Sequence, residues 1–261
     1  MQENVPESYL PERGHQHDHA HPELHYPEQI NVAAELVDRH VEEGRGDNPA
    51  IRFENTEITY SELQEQVDRM GNALLEQGVE PGDRVVVRFT NRPEAVVSCL
   101  AAMKIGAVAL PSMKLLRAKE LVHIINNAEA STVVVYDDLL EEVDQALPDL
   151  DTVDNVIVVQ RHGVEHDHED YDELTEAADD ELDAFATERD DLALMLYTSG
   201  TTGQPKGATH THRQVLATAD SYANYCLNPT EDDVFGGNPP LPFAYGFGDL
   251  VTFPLRFGAT T

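Results

Sequence analysis

RVVVRFTNRPEAVVSCLAAMKIGAVALP, residues 84–111, places two apolar runs on either side of a stretch with helical spacing. Arg84–Arg88 carries three valines in a row with no polar residue between them, the mark of a strand covered on both faces. Pro93 opens a helix, and Val96, Leu100 and Met103 recur at spacings of four and three. Ala107–Pro111 (AVALP) is the next strand. The alternation continues with a helix around Leu121, Ile124 and Ile125, then TVVVY at Thr132–Tyr136, a helix near Leu140, Val143 and Leu147, and NVIVV at Asn155–Val159. Continuous valine-rich runs separated by helices predict an α/β fold with a mainly parallel sheet covered on both sides.

Working outward, Asn31 caps a helix through His40, ended by Gly44 and Gly46. AIRFENTEITY (Ala50–Tyr60) reads as a hairpin around Glu54-Asn55-Thr56. Ser61 and Gln64 suit a capping box for a helix carrying Leu63, Val67, Met70 and Leu74, stopped by Gly78. Residues 1–30 form a His-rich arm without periodicity, with His15, His17, His19, His21 and His25. Alternate imidazoles on an extended arm can take up nickel, copper or zinc, but no ladder fixes their geometry, so the affinity is read as adventitious. A second loose group is His162, His166 and His168. The expected organisation is the arm, a first α/β unit over 31–160, an acidic solvated linker over 161–191, and the start of a second, incomplete α/β unit over 192–261.

The 261-residue chain carries 49 Asp and Glu against 17 Lys and Arg, a formal charge of -32, and its lysines are Lys104, Lys114, Lys119 and Lys206. Self-repulsion of that size weakens a compact state in dilute buffer and is screened at molar salt, where the Debye length is about 3 Å. This points to a halophile's cytoplasmic protein. An acidic interaction surface or a partly disordered acidic chain is the alternative, against which the patterned apolar segments argue. The charge repels nucleic-acid phosphates. Cys99 and Cys226 sit among apolar neighbours and read as core. MQENVPESYLPERG at the start has no basic region followed by an apolar one, and no run approaches the roughly 20 apolar residues of a membrane span.

The strand Leu192–Tyr197 leads into YTSGTTGQPKG, Tyr197–Gly207. Gly200, Gly203 and Gly207 let backbone amides approach an oxyanion; Thr198, Ser199, Thr201 and Thr202 add hydroxyls, and Lys206 a cation. A phosphate is the natural ligand, and a flexible hinge is the bland alternative, which has no use for the lysine. A Walker A loop needs glycine where Pro205 stands and Ser or Thr where Gly207 stands, and no glycine precedes Gly200 by two as a dinucleotide fingerprint requires.

YTSGTTGQPKGATHTHR resembles the signature of the acyl-adenylate-forming (AMP-binding) enzymes, the family of acyl-CoA synthetases, luciferases and peptide-synthetase adenylation domains. TYSELQEQVDRMGNALLEQGVEPGDRV and CLAAMKIGAVALP are similar to that family as well. The resemblance implies the N-terminal large domain of that fold, with layered, mainly parallel sheets and helices. It implies a reaction in which a carboxylate attacks the α-phosphate of ATP with Mg²⁺ present, releasing pyrophosphate, after which the thiol of coenzyme A displaces AMP. Thr198, Ser199, Gly200, Thr201, Thr202, Gly203 and Lys206 would wrap the β- and γ-phosphates, with Thr201 and Lys206 the catalytic pair.

NPPLPFAYGFGDLVTFPLRFG (Asn238–Gly258) resembles the benzoate-CoA and 2-aminobenzoate-CoA ligases at Phe243, Ala244, Tyr245 and Gly246, where many relatives carry an aromatic residue followed by histidine. Those four would bind a small aromatic acid; ordinary core packing of the two aromatics and an aliphatic acid are the alternatives. His210 and His212 are expected to orient the turn into the next helix and are not assigned a catalytic role. The resemblance covers the first half of such an enzyme, so the chain is expected to be inactive alone, with an exposed sheet edge at Phe257–Thr261 available to a separately encoded C-terminal half. A metal-buffering scaffold and a stand-alone nucleotide-binding regulator are the other function classes.

Overall fold

The computed structural model describes residues 24–198 and 204–261. Among these residues seven strands form one sheet in the order β7-β6-β5-β3-β4-β8-β9: β3 (Arg84–Arg88), β4 (Val108–Ser112), β5 (Thr132–Tyr136), β6 (Asn155–Val159), β7 (Glu169–Asp170), β8 (Leu192–Thr198) and β9 (Lys206–Thr211). All neighbours are parallel except β8 and β9. The valine runs divide by alternation. Val85 and Val87 enter the core on one face, whereas Val86, Val133 and Val135 enter the core on the other.

On the first face α3 (Pro93–Lys104) lies between the sheet and α2 (Tyr60–Glu76), which is why every residue from Ala95 to Lys104 is buried. A helix with partners on both sides has no use for a polar face. Helix α2 keeps one, burying Leu63, Val67, Met70 and Leu74. The second face carries α4 (Ala118–Ala128) and α5 (Leu140–Ala146), packed through Leu121, Ile124, Ile125 and Val143. The arginines at the two ends of β3 share that face with Val86. Arg84 donates from Nε to Ala128 O (2.6 Å) and from a terminal nitrogen to Glu129 O, occupying the last carbonyls of α4. Arg88 donates to the loop that precedes the same helix. One strand thus grips both ends of its neighbouring helix.

Asn31 caps the first helix as expected, its Oδ1 accepting from Ala33 N at 3.0 Å; the helix has π geometry over Ala34–Asp38 and continues as α1 (Arg39–Glu42), past His40. The hairpin is β1 (Pro49–Phe53) and β2 (Thr56–Thr59), with Phe53 paired to Thr56, so the turn is Glu54-Asn55 alone and Glu54 takes a left-handed φ of 54°. The capping box of α2 is formed by Thr59 and Glu62, not by Ser61 and Gln64. Tyr60 is the reason: it is wholly buried and already helical, so the last extended residue is Thr59. Gln64 is turned inward instead, donating to Asp38 Oδ1.

The acid-rich stretch 161–191 is built into the fold. It supplies β7 on the sheet edge and α6 (Tyr171–Ala177), then runs back along α2, where Arg69 donates to Ala178 O (2.7 Å) and Asn72 to Asp179 O (2.8 Å). Thr187 is buried and exchanges hydrogen bonds with Ile30. Composition misled here because most of the carboxylates stay at least partly exposed, while backbone carbonyls such as Ala178 O, Asp179 O and Thr187 O bind the rest of the fold. Strand β8 likewise joins the first sheet through β4 and does not begin a separate one. Phe257 ends α9 (Phe253–Phe257), and the residues after it are no exposed edge: Ala259 and Thr260 are buried, Thr260 bridges Val234, and Thr261 exchanges backbone bonds with Ala50 and Arg52. Cys99 is in the core, but Cys226 is exposed on the helical stretch Ala219–Leu227. Among the described residues no helix is long and apolar enough to cross a membrane.

Asp137, after β5, binds the acidic loop. Its buried carboxylate accepts from the amides of Arg161 (3.2 Å), His162 (2.6 Å) and Val164 (3.4 Å) and from His162 Nδ1 (2.7 Å). Burial pushes its pKa up, but the hydrogen bonds from the His162 ring and these amides outweigh that and hold it at about 2. Asp137→Ala should lower stability by about 2 kcal/mol, read by urea unfolding at neutral pH. Because the folded value lies below the unfolded one, the contribution is complete above about pH 4 and fades as pH falls toward 2. A loss no larger at pH 7 than at pH 2 would contradict the assignment.

Candidate functional site

Strand β8 is buried from Leu192 to Leu196, half-buried at Tyr197 and exposed at Thr198, so the chain leaves the core at the carboxyl edge of the sheet. Strand β9 returns antiparallel beside it, pairing Thr198 with Lys206 and Tyr197 with Gly207. The threonine hydroxyl and the lysine therefore flank the mouth of the glycine-rich turn. Ser199, Gly200, Thr201, Thr202 and Gly203 lie outside the described residues. Lys206 is exposed, and among the described residues no carboxylate pairs with it. A Cβ on Gly207 would stand 3.0 Å from Met195 Sδ and 3.2 Å from the Tyr197 ring, so the close pairing of these strands favours glycine there. Two side chains of α4 hold the site: His123 Nε2 donates to Pro205 O (3.0 Å), and Asn127 Oδ1 accepts from Tyr197 OH (2.8 Å).

Beside Thr198 and Pro205 lies a mainly apolar cavity of about 190 Å³. Its walls include Leu110, Ser112, Met113, Tyr197, Thr198 and Phe243. Cavities of roughly 150 Å³ hold a benzene molecule, so a single-ring acid is of the right size. The Ser112 hydroxyl is buried at the wall with no hydrogen-bond partner among the described residues. Of the residues singled out in the second motif, Phe243 reaches the cavity, half-exposed at 47%. Ala244 and Tyr245 are exposed in α8 (Ala244–Phe247) and are not among the lining residues, while Gly246 is buried against Pro240. Asn91 fixes this segment through Nδ2 to Pro239 O (2.8 Å) and Oδ1 from Leu241 N (3.0 Å). Asn91, Ser112, His123 and Asn127 were not legible as site residues, since each acts through a contact distant in sequence.

Thr211 and Gln214 form a capping box at the start of α7 (His212–Thr218). His212 is fully buried, accepts from Val32 N at Nδ1 (3.0 Å) and is pushed by burial to about 3, so it is a neutral pin between α7 and the first helix. Burial lowers His210 as well. Residues His15 to His21 of the arm lie outside the described residues. Of the other histidines, His162 is tied to Asp137 and His168 to Asp144, so the loop group does not converge on one centre.

A mainly parallel α/β sheet whose inner strand β8 ends at the carboxyl edge beside an apolar cavity, with Thr198 and Lys206 paired there, defines an α/β protein with a ligand-sized site at the strand ends. The AMP-binding enzyme family model matches residues 37–261, and the chain belongs to that family. The chain is 36% identical to an acetyl-coenzyme A synthetase of Mycolicibacterium smegmatis, over 89% of this chain and 27% of that protein. It is 32% identical to a benzoate–CoA ligase of Thauera aromatica, over 94% of this chain and 46% of the other. Among solved structures, an anthranilate CoA ligase, AuaEII, in complex with anthranoyl-AMP aligns with a TM-score of 0.86 at 26% identity, covering 90% of this chain and 45% of that one. A benzoate CoA ligase from Burkholderia xenovorans LB400 aligns at 0.79 and 33% identity, covering 88% and 44%. The chain thus spans less than half the length of these relatives.

Proposed function

We propose that this chain is the N-terminal part of an AMP-forming carboxylate-CoA ligase acting on a small aromatic acid of the benzoate or 2-aminobenzoate type. The carrying observation is that one apolar cavity is bordered both by Thr198, at the mouth of the glycine-rich turn, and by Phe243. An acid seated there lies beside the triphosphate that the turn would hold. In this reading Thr198, residues 199–203 and Lys206 would hold ATP, and Mg²⁺ bound with the nucleotide would supply positive charge to offset that of the phosphates. Thr201 and Lys206 offset the charge that builds up as the carboxylate attacks. Pyrophosphate leaves, and coenzyme A then displaces AMP from the mixed anhydride. Phe243 is the aromatic wall of the acid pocket; Ala244, Tyr245 and Gly246 support it from α8.

The test is pyrophosphate release with ATP and magnesium by a full-length enzyme carrying this segment. Lys206→Ala and Thr201→Val should each slow adenylation about 100-fold. Rates within twofold of the parent would remove the phosphate assignment. Benzoate, 2-aminobenzoate, acetate and octanoate are offered in competition. The relatives include proteins named for acetate, and preference for acetate or octanoate would overturn the aromatic part while leaving the ligase chemistry in place.

A further inference from the structure

Arg88 is fully buried at the carboxyl end of β3, beside its register partner Ser112 on β4. Among the described residues no carboxylate lies within ion-pair distance of it; the facing charges are Glu142, Asp138 and Arg117. Burial lowers its pKa to about 10, which leaves it a cation at neutral pH. A buried charge without a counter-ion is expensive, and an aliphatic side chain would fill the same place on a sheet face otherwise occupied by Val86. The compensation is specific. Nη1 donates to Met113 O (2.6 Å), and Nη2 to Leu116 O (2.8 Å) and Lys114 O (3.2 Å).

These are three carbonyls of the turn that links β4 to α4. Two of them belong to residues that line the cavity, Met113 and Leu116, and Ser112 and Leu110 line it from the adjoining strand. Among the described residues the turn carries one backbone–backbone bond of its own, from Leu116 N to Met113 O (3.2 Å), and Glu120 accepts from Arg117 N at its end (3.1 Å), so the three guanidinium bonds are the larger share of what fixes its shape.

We infer that Arg88 is a positioning residue for the acid pocket: it touches no substrate, but its fork of donors holds the Met113–Leu116 wall at the distance that fits an aromatic ring. The inference rests on the reading of the cavity as the acid site. It is tested on the whole chain in molar KCl with 4-fluorobenzoate, followed by ¹⁹F NMR, together with the Met113 methyl resonance and amide exchange. Arg88→Met should move the Met113 methyl, speed exchange of the amides of residues 113–117 relative to those of β5, and weaken fluorobenzoate at least about tenfold. Arg88→Lys, which keeps the charge and reaches fewer carbonyls, should fall between the two and decides the matter if the methionine variant does not fold. Unchanged Met113 signal and exchange in the folded variants overturn the inference, as does a lowered melting temperature with unchanged affinity. If the parent chain binds no fluorobenzoate, the acid-site reading fails, and Met113 and the exchange rates alone then decide whether Arg88 sets the wall.

Discussion

Lys104→Met is expected to destabilise the protein by about 3–5 kcal/mol at pH 7.5, because it leaves two acidic groups without their cation in the core. The Lys104 side chain is 1% exposed; its Nζ lies 2.8 Å from Asp38 Oδ1 and 2.5 Å from Asp68 Oδ1. Asp38 also accepts from Gln64 Nε2 at 3.0 Å. The triad joins the first helix, α2 and α3, and the carbonyl of Lys104 accepts from Phe185 N (2.8 Å), which ties in the acid-rich segment. Burial pushes the Asp68 carboxyl up to about 6, against the downward pull of Lys104.

The sign of the pH effect follows. Between about pH 4 and 6 the native state keeps a proton on Asp68 that the unfolded chain has released, so this group's contribution declines as pH rises through that window. Without Lys104 only the backbone hydrogen bond at Leu182 still lowers the carboxyl, its pKa rises further, and the deficit of the variant opens as pH increases. Urea unfolding in molar KCl should show a small difference at pH 5 and the full loss at pH 7.5. Adding Asp68→Asn to Lys104→Met should recover part of it at pH 7.5. A loss below 1 kcal/mol, or one equal at both pH values, would refute the account.

Such a triad has no sequence signature. The strands were legible because an unbroken run such as TVVVY admits one reading, and β3, β5 and β6 begin and end where the runs do. The glycine-rich turn reads as a phosphate loop, the role proposed for it, because its hydroxyls, glycines and single lysine suit that chemistry. Lys104, Arg84 and Arg88 look like ordinary surface charges flanking apolar runs, and only the tertiary fold shows them buried. The cavity is illegible for a related reason: its walls come from residues 110–113, 116, 124, 197–198, 205 and 242–243, brought together by the order of strands in the sheet. The stretch 161–191 shows the opposite error, where a strong compositional signal concealed backbone bonds that composition does not register.

Gly246→Ala should cost about 3 kcal/mol or more, although alanine is the better helix former by about 1 kcal/mol and Gly246 lies within α8 without a left-handed φ. Sterics decide. A Cβ at this position would stand 2.1 Å from Pro240 O and 2.7 Å from Pro240 C, backbone atoms that no rotamer can move aside. The segment cannot retreat, because Asn91 holds it at Pro239 and Leu241, and Phe243 N donates to Pro240 O (3.1 Å). Gly236, where a Cβ meets nothing within 4 Å, is the control, and Gly236→Ala should change stability by less than about 0.5 kcal/mol. Equal unfolding midpoints for the two variants would show that the segment yields. The glycine of the Phe-Ala-Tyr-Gly motif therefore has a reason to be there that needs no ligand. In the proposed reading its link to the acid is indirect: the close approach to Pro240 sets where α8 begins, and so where Phe243 meets the cavity. Loss of fluorobenzoate binding in Gly246→Ala at a temperature where the protein is still folded would register that displacement.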